Sequence, residues 1–227
     1  MKNRITCINY SRYFIIDKFR FVYVEIPKVA CTSFKFWMTQ LLEMDFDISN
    51  WEKIHEVDFP MVKGIELKEK YIDYFKFSFV RNPWERILSC WLSKIKTPDY
   101  DDGKNWRKGV ENNFWRYGDM FRSEMSFEDF INSVTQIPDH DADAHFRSQY
   151  TFIYDEDENP IVDFIGRFEN IDSDFKKVCE IINCNNTVFP HLHNQKHDHY
   201  RKYYNYNTVK SVTKRYEEDI DIFKFTY

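Results

Sequence analysis

No stretch of the sequence approaches the roughly 20 consecutive apolar residues that a membrane-spanning helix needs. The opening "MKNRITCINYSRYFIIDKFRF" interrupts its apolar residues with Asn, Ser, Arg, Asp and Lys, so no signal-like core forms; no transmembrane segment and a cytoplasmic address are the expectation. Excess positive charge is lacking too. With 32 Lys and Arg against 37 Asp and Glu, the formal net charge is -5, which excludes a global field for nucleic acid or anionic lipid and leaves only local anion sites. The cysteines Cys7, Cys31, Cys90, Cys179 and Cys184 are odd in number and irregular in spacing, which argues against a disulfide framework and for reduced thiols. Only five glycines and seven prolines in 227 residues exclude a low-complexity chain.

What is present is a dense supply of core material, 43% hydrophobic and 19% aromatic, in a length that fits one domain spanning residues 1–227. "YFIID" and "RFVYVEI" read as a hairpin whose second strand ends at Ile26. From Thr32 onward, Phe34, Trp37, Met38, Leu41 and Leu42 mark one helical face. The pattern repeats: "KFSFV" is β-like, Pro83 suits a first helical turn, and Trp84, Ile87, Leu88, Trp91, Leu92 and Ile95 mark a second face. Two strand-turn-helix units predict an α/β fold with a mostly parallel central sheet flanked by helices. Residues Thr97 to Arg122 read as a polar, irregular loop suited to substrate contacts. "SFEDFINSV" opens on a cap-like Ser126 and Asp129, "IDSDFKKVCEIIN" follows the strand-like "IVDFIGRF", and Thr208 to Phe223 predicts a last helix.

The chemistry concentrates in the two turns. At a strand-to-helix turn the first backbone N–H groups lack intrahelical partners and the helix dipole favours an anion. In "IPKVACTSFK", Lys28 adds a full charge and Thr32 and Ser33 add hydroxyls, a set that fits phosphate or sulfate. A solvated lysine and a simple helix cap are the bland alternative. In "FSFVRNPWERILSCW", Arg81 directly follows a strand and Ser89 lies two helical turns on, a second anion-reading pair; its bland alternatives are an Arg81–Glu85 salt bridge and a packed hydroxyl. Both turns together point to a ligand with two separated anionic groups.

These segments resemble the carbohydrate sulfotransferases of the HNK-1 and chondroitin 4-O-sulfotransferase group, which use 3'-phosphoadenosine 5'-phosphosulfate (PAPS). "IPKVACTSFK" is similar to that family's 5'-phosphosulfate loop, "FSFVRNPWERILSCW" to its 3'-phosphate motif of the type "FVRDPFERLLSAY", and "DADAHFRSQY" and "DFIGRFENIDSDF" to segments of the type "HWRPQ" and "YDFIGKFE". The resemblance implies a P-loop-like α/β fold, PAPS as donor, a carbohydrate or glycoconjugate acceptor and no metal. It implies that Lys28 contacts the phosphosulfate and its bridging oxygen, that Pro27, Val29, Ala30, Cys31, Thr32 and Ser33 form the loop around it, and that Arg81 and Ser89 hold the 3'-phosphate. Asn82 stands where the family often has Asp. The membrane anchor and luminal stem of the family's Golgi members are not expected in this chain, a further ground for the cytoplasmic expectation.

Transfer of a sulfuryl group to a hydroxyl needs a base, and histidine suits neutral pH. His55 in "WEKIHEVDF" is the expected base, with Glu56 or Glu52 as orienting carboxylate, because related uronyl sulfotransferases place their catalytic histidine in a comparable segment. His145 in "AHFRSQ" is its rival, and a surface or core histidine is the alternative for each. Arg167 and Phe168 in "GRFEN" are candidate nucleotide contacts by resemblance to the wider superfamily, against a plain buried strand. His191, His193, His197 and His199 pair too loosely for zinc, so a polar loop in which Lys196 or Arg201 closes over the donor is the preferred reading. Two rivals stand beside the enzyme: a P-loop kinase, which lacks G-x-x-x-x-G-K-[ST] here, and a non-catalytic nucleotide- or glycan-binding module.

Overall fold

The aromatic-rich runs near the start of the chain form the expected hairpin. Strands β1 (Arg12–Ile16) and β2 (Phe21–Glu25) pair antiparallel, Arg12 opposite Glu25 and Ile16 opposite Phe21. The link between them is a single 3-10 turn ended by Arg20 at φ 50, too short for a parallel crossover. This computed structural model describes residues 11–96, 110–192 and 198–227.

The chain divides into two compact units. The first, which runs to Arg81 and resumes from Gln149 to the segment before His197, contains the whole sheet. Strands β3 (Met61–Val62), β4 (Phe75–Val80) and β5 (Phe164–Arg167) join the hairpin in the order β3-β1-β2-β4-β5. β2, β4 and β5 are parallel neighbours, whereas β1 runs antiparallel to both β2 and β3. The sheet is therefore mixed and not mostly parallel, because the hairpin and the short β3 add antiparallel partners on one side. In the register, Val24 lies opposite Ser78 and Val80 opposite Arg167, so the carboxyl ends of three adjacent strands fall in line. Ligands of open α/β sheets gather at such ends.

Helix α1 (Cys31–Leu41) follows β2 as predicted and packs through aromatic rings. Phe34 stacks on Tyr23 at 4.7 Å and meets Phe79 at 4.8 Å; Trp37 stacks on Phe21 at 5.3 Å. Each such fully buried side chain contributes about 1.5–3 kcal/mol, so the start of α1 is held firmly against the strand ends. This unit also contains the short helices α2 (Gly64–Glu69) and, later in the chain, α6 (Tyr150–Ile153), together with α7 (Ile171–Ile181), whose Phe175 lies edge-on to Trp37 at 5.0 Å. In β5, Gly166 leaves room for the Phe79 ring: a Cβ there would fall 2.3 Å from its Cε1.

The second unit comprises Asn82–Ser148 and the chain from His197 to the end. Among its described helices are α3 (Pro83–Lys94), α4 (Val110–Phe114), α5 (Phe127–Thr135), α8 (Tyr206–Arg215) and α9 (Glu217–Phe223). Asn82 caps α3 by accepting from the Trp84 amide at 3.1 Å, and Ser126 caps α5 by accepting from Asp129 N–H at 3.1 Å. Of the segment read as an irregular loop, residues 97–109 lie outside the described residues, but Val110–Phe114 is helical and Trp115–Met120 forms 3-10 turns. Buried Phe114 explains the order there, since it packs on Phe121 at 4.9 Å and Phe146 at 5.5 Å. The predicted final helix is broken at Tyr216, whose hydroxyl donates to the Phe146 carbonyl at 2.7 Å.

Candidate functional site

The loop after β2 is a tight turn without glycine. Val29 N–H donates to the Ile26 carbonyl at 3.3 Å, with Pro27 second in the turn and Lys28 third at φ 71, the positive φ that a type II turn requires at that position. Ala30 is also left-handed, at φ 54. A left-handed residue other than glycine costs about 1–2 kcal/mol, and such strain collects at functional sites. The left-handed Ala30 offers no side-chain cap to α1, so the leading amides of Cys31, Thr32 and Ser33 form an N-terminus suited to an anion. Thr32 and Ser33 are buried, and Ser33 Oγ accepts from the Leu192 amide at 3.1 Å, which leaves its own proton to donate.

Arg81, directly after β4, reaches this loop. Its Nη1 donates to the Lys28 carbonyl at 3.2 Å, so the two turns singled out in the sequence meet. The guanidinium also lies over the Phe168 ring, 4.1 Å from its centroid, just beyond β5. Arg81 is 8% exposed, and the Gln149 side chain brackets its peptide by accepting from Arg81 N–H at 2.9 Å and donating to its carbonyl at 2.8 Å. Next to Phe168, Arg167 N–H donates to Asp174 on α7 at 2.9 Å. One ring face of Phe168 thus serves Arg81.

His55 lies beside the same loop. Its Nε2 is 3.1 Å from Thr32 Oγ1 and its Nδ1 is 3.0 Å from Lys35 Nζ. Lys35, buried on α1, is ion-paired with Glu25 Oε1 at 2.5 Å, and Arg12 Nη1 lies 3.4 Å from Glu25 Oε2. Burial raises the Glu25 carboxyl, but Lys35 and then Arg12 outweigh it and hold it below its ordinary value.

Ser89 and His145 belong to the second unit. Ser89 sits on α3, half-buried. His145 Nδ1 lies 2.7 Å from Asp143 Oδ1; burial raises the Asp143 carboxyl, but the hydrogen bond from His145 outweighs it and keeps the group low. In the histidine-rich segment, His191 pairs with Asp172 at 2.8 Å and His199 caps a 3-10 turn, while His193, Lys196 and His197 lie outside the described residues. Arg201 lies over the Tyr227 ring at 5.1 Å. No metal-binding group occurs among the described residues, and no helix among them is long and apolar enough to cross a membrane.

Glu25, Lys35 and Gln149 received no role from the sequence, although Lys35 and Gln149 lie within the quoted motifs. Lys35 carried a signal in its spacing, since it follows Thr32 by three residues and so shares its helical face. Gln149 lies at the Gln of the segment similar to "HWRPQ", but its contact with Arg81 is set by tertiary pairing, and Glu25 carried no signal, because only tertiary pairing brings it to Lys35.

A family model described as "Sulfotransferase family" matches residues 11–226. Among curated proteins, carbohydrate sulfotransferase 14 of Mus musculus is 27% identical over 179 residues, covering 73% of this chain and 45% of its own length. Carbohydrate sulfotransferase 11 of Mus musculus is 23% identical over 206 residues, 79% of this chain and 55% of its own. Carbohydrate sulfotransferase 9 of Homo sapiens is 26% identical over 188 residues, 76% and 41%. The chain spans about half the length of the curated relatives it matches. No solved structure matches it.

Proposed function

The chain belongs to the sulfotransferase family, and from that membership we propose that it transfers the sulfuryl group of PAPS to a hydroxyl of a carbohydrate or glycoconjugate. The observation that carries this reading is the hydrogen bond from Arg81 to the Lys28 carbonyl, which unites two anion-reading turns on one side of the sheet. An uncapped helix start, two left-handed loop residues, a lysine and a buried arginine suit a ligand with phosphosulfate at one end and phosphate at the other. Bound PAPS supplies an activated sulfuryl group on a phosphate leaving group.

In the reaction the acceptor oxygen bonds to sulfur, the sulfur–oxygen bond to the phosphate breaks, adenosine 3',5'-bisphosphate leaves and the hydroxyl proton passes to a base. Lys28 and the loop amides stabilise charge on the leaving phosphate, and positioning with electrostatics supplies most of the rate. Arg81 holds the 3'-phosphate; the part given to Ser89 rests on the motif resemblance. Phe168 keeps Arg81 in place, and Arg167 flanks the nucleotide. No metal takes part.

Two histidines are candidates for the base, and the first, His55, lies beside the loop. A second reading gives the role to His145, because a carboxylate at 2.7 Å from Nδ1 is the partner that orients an imidazole base. The test is transfer from labelled PAPS to a panel of glycans, small alcohols, phenols and peptides, with Lys28→Ala as control. Transfer to glycans that the control lacks is the expected result. Donor binding with no transfer to any acceptor favours the non-catalytic module, and neither binding nor transfer ends the sulfotransferase reading.

A further inference from the structure

The partners of His55 specify how it holds its proton. Lys35 is an ammonium clamped by Glu25 at 2.5 Å, lies 5.3 Å from the centre of the Phe14 ring, and is 2% exposed. An ammonium has three donors and no acceptor, so at 3.0 Å from His55 Nδ1 it must donate, and Nδ1 must be the unprotonated nitrogen. The ring proton then sits on Nε2, which faces Thr32 Oγ1 at 3.1 Å. Thr32 Oγ1 accepts that proton and turns its own hydroxyl hydrogen elsewhere. Thr32 is the second residue of α1, in the turn whose amides face the anion site.

We propose that Lys35, clamped by Glu25, is a positioning residue that fixes His55 as its Nε2–H tautomer, so that His55 donates to Thr32 and commits the Thr32 hydroxyl to donate to a ligand oxyanion. The chain of donors runs Lys35 to His55 to Thr32 to ligand, each hydroxyl or imidazole accepting once and donating once. The identity of the oxyanion, the phosphosulfate, rests on the function proposed above; the tautomer does not. The arrangement divides the two histidine candidates. A cation behind Nδ1 makes His55 a donor at Nε2 and leaves it no lone pair for an acceptor proton, whereas the Asp143 carboxylate accepts a hydrogen bond from Nδ1–H of His145, the tautomer of an imidazole base, so the base role passes to His145.

The test is nitrogen-15 NMR of histidine-labelled protein at pH 7.5, with His55 assigned from a His55→Gln spectrum. The expected wild-type pattern is pyridine-type Nδ1 and pyrrole-type Nε2; a pyrrole-type Nδ1 or an imidazolium overturns the proposal. Lys35→Met is expected to abolish that pattern and weaken binding of adenosine 3',5'-bisphosphate by about tenfold, the loss of one charge-assisted contact. An unchanged His55 spectrum in Lys35→Met also overturns it. If Lys35→Met does not fold, Glu25→Leu combined with Lys35→Met removes both charges and takes its place. Thr32→Val is expected to weaken nucleotide binding similarly, with Lys35→Met adding no further loss in that background; additive losses sink the donor chain. A wild-type protein with the expected tautomer and no affinity for the nucleotide supports the Lys35 assignment and refutes the ligand reading instead.

Discussion

Arg81 Nη1 donates to the carbonyl of Lys28 at 3.2 Å, across 53 positions of sequence. The side chain proposed to hold the 3'-phosphate thereby holds the backbone from which the Lys28 side chain projects. Arg81→Lys is therefore not conservative: a lysine has neither the fork that meets the Lys28 carbonyl nor the planar face over Phe168. We expect it to weaken adenosine 3',5'-bisphosphate binding about 10–100-fold, measured by calorimetry, as loss of a contact between charged groups does. Lys28→Ala should instead lower kcat about 10²–10³-fold, the effect of removing one preorganised stabiliser of transition-state charge.

The Glu25–Lys35 ion pair sets a second expectation. Glu25→Gln leaves the Lys35 ammonium buried without its counter-charge and should lower stability by about 3–5 kcal/mol in urea titrations near neutral pH. The folded carboxyl lies below its ordinary value of 4.5, so its contribution is present above that value and disappears as pH falls through the lowered folded value. The gap between wild type and Glu25→Gln should accordingly close in acid. A gap that stays constant down to pH 3 would contradict the pairing.

Gly166 offers a test of how the strand ends are packed. Its Cβ position lies 2.3 Å from Phe79 Cε1, inside a ring cluster that includes Phe34. Gly166→Ala should cost about 1–3 kcal/mol, read from thermal and urea unfolding, because an overpacked core must shift. A neutral substitution would show that Phe79 moves freely.

The thiols should separate by reactivity. Cys31 is half-buried at the start of α1, whereas Cys90, Cys179 and Cys184 are buried, and burial pushes the Cys179 thiol up to about 12. Among these four, iodoacetamide at pH 8 should modify Cys31 first, read by peptide mass spectrometry, and bound adenosine 3',5'-bisphosphate should slow that reaction. Labelling of Cys179 at a comparable rate would refute the burial argument.

Much of the architecture was legible along the chain because it is written in local patterns. The hairpin, the helix after Thr32, the helix after Pro83 and the strand at Phe164 follow from apolar spacing and cap residues, and those properties depend on neighbours within a few positions. The broken end at Tyr216 and the helix at Val110 were not legible, because buried contacts of Tyr216 with Phe146 and of Phe114 with Phe121 override local preference.

By itself the sequence determined the two strand-to-helix turns and their charges, since Pro27, Lys28, Arg81 and Asn82 carry their chemistry wherever the chain goes. Only the tertiary structure decided that Arg81 would reach Lys28, that antiparallel partners would complete the sheet, and that His55 would face the Lys35 cation. The physical reason is that side-chain hydrogen bonds are fixed by strand register and helix docking. Those are collective outcomes of burying Phe34, Trp37, Phe77 and Phe79 together, and no single motif contains them.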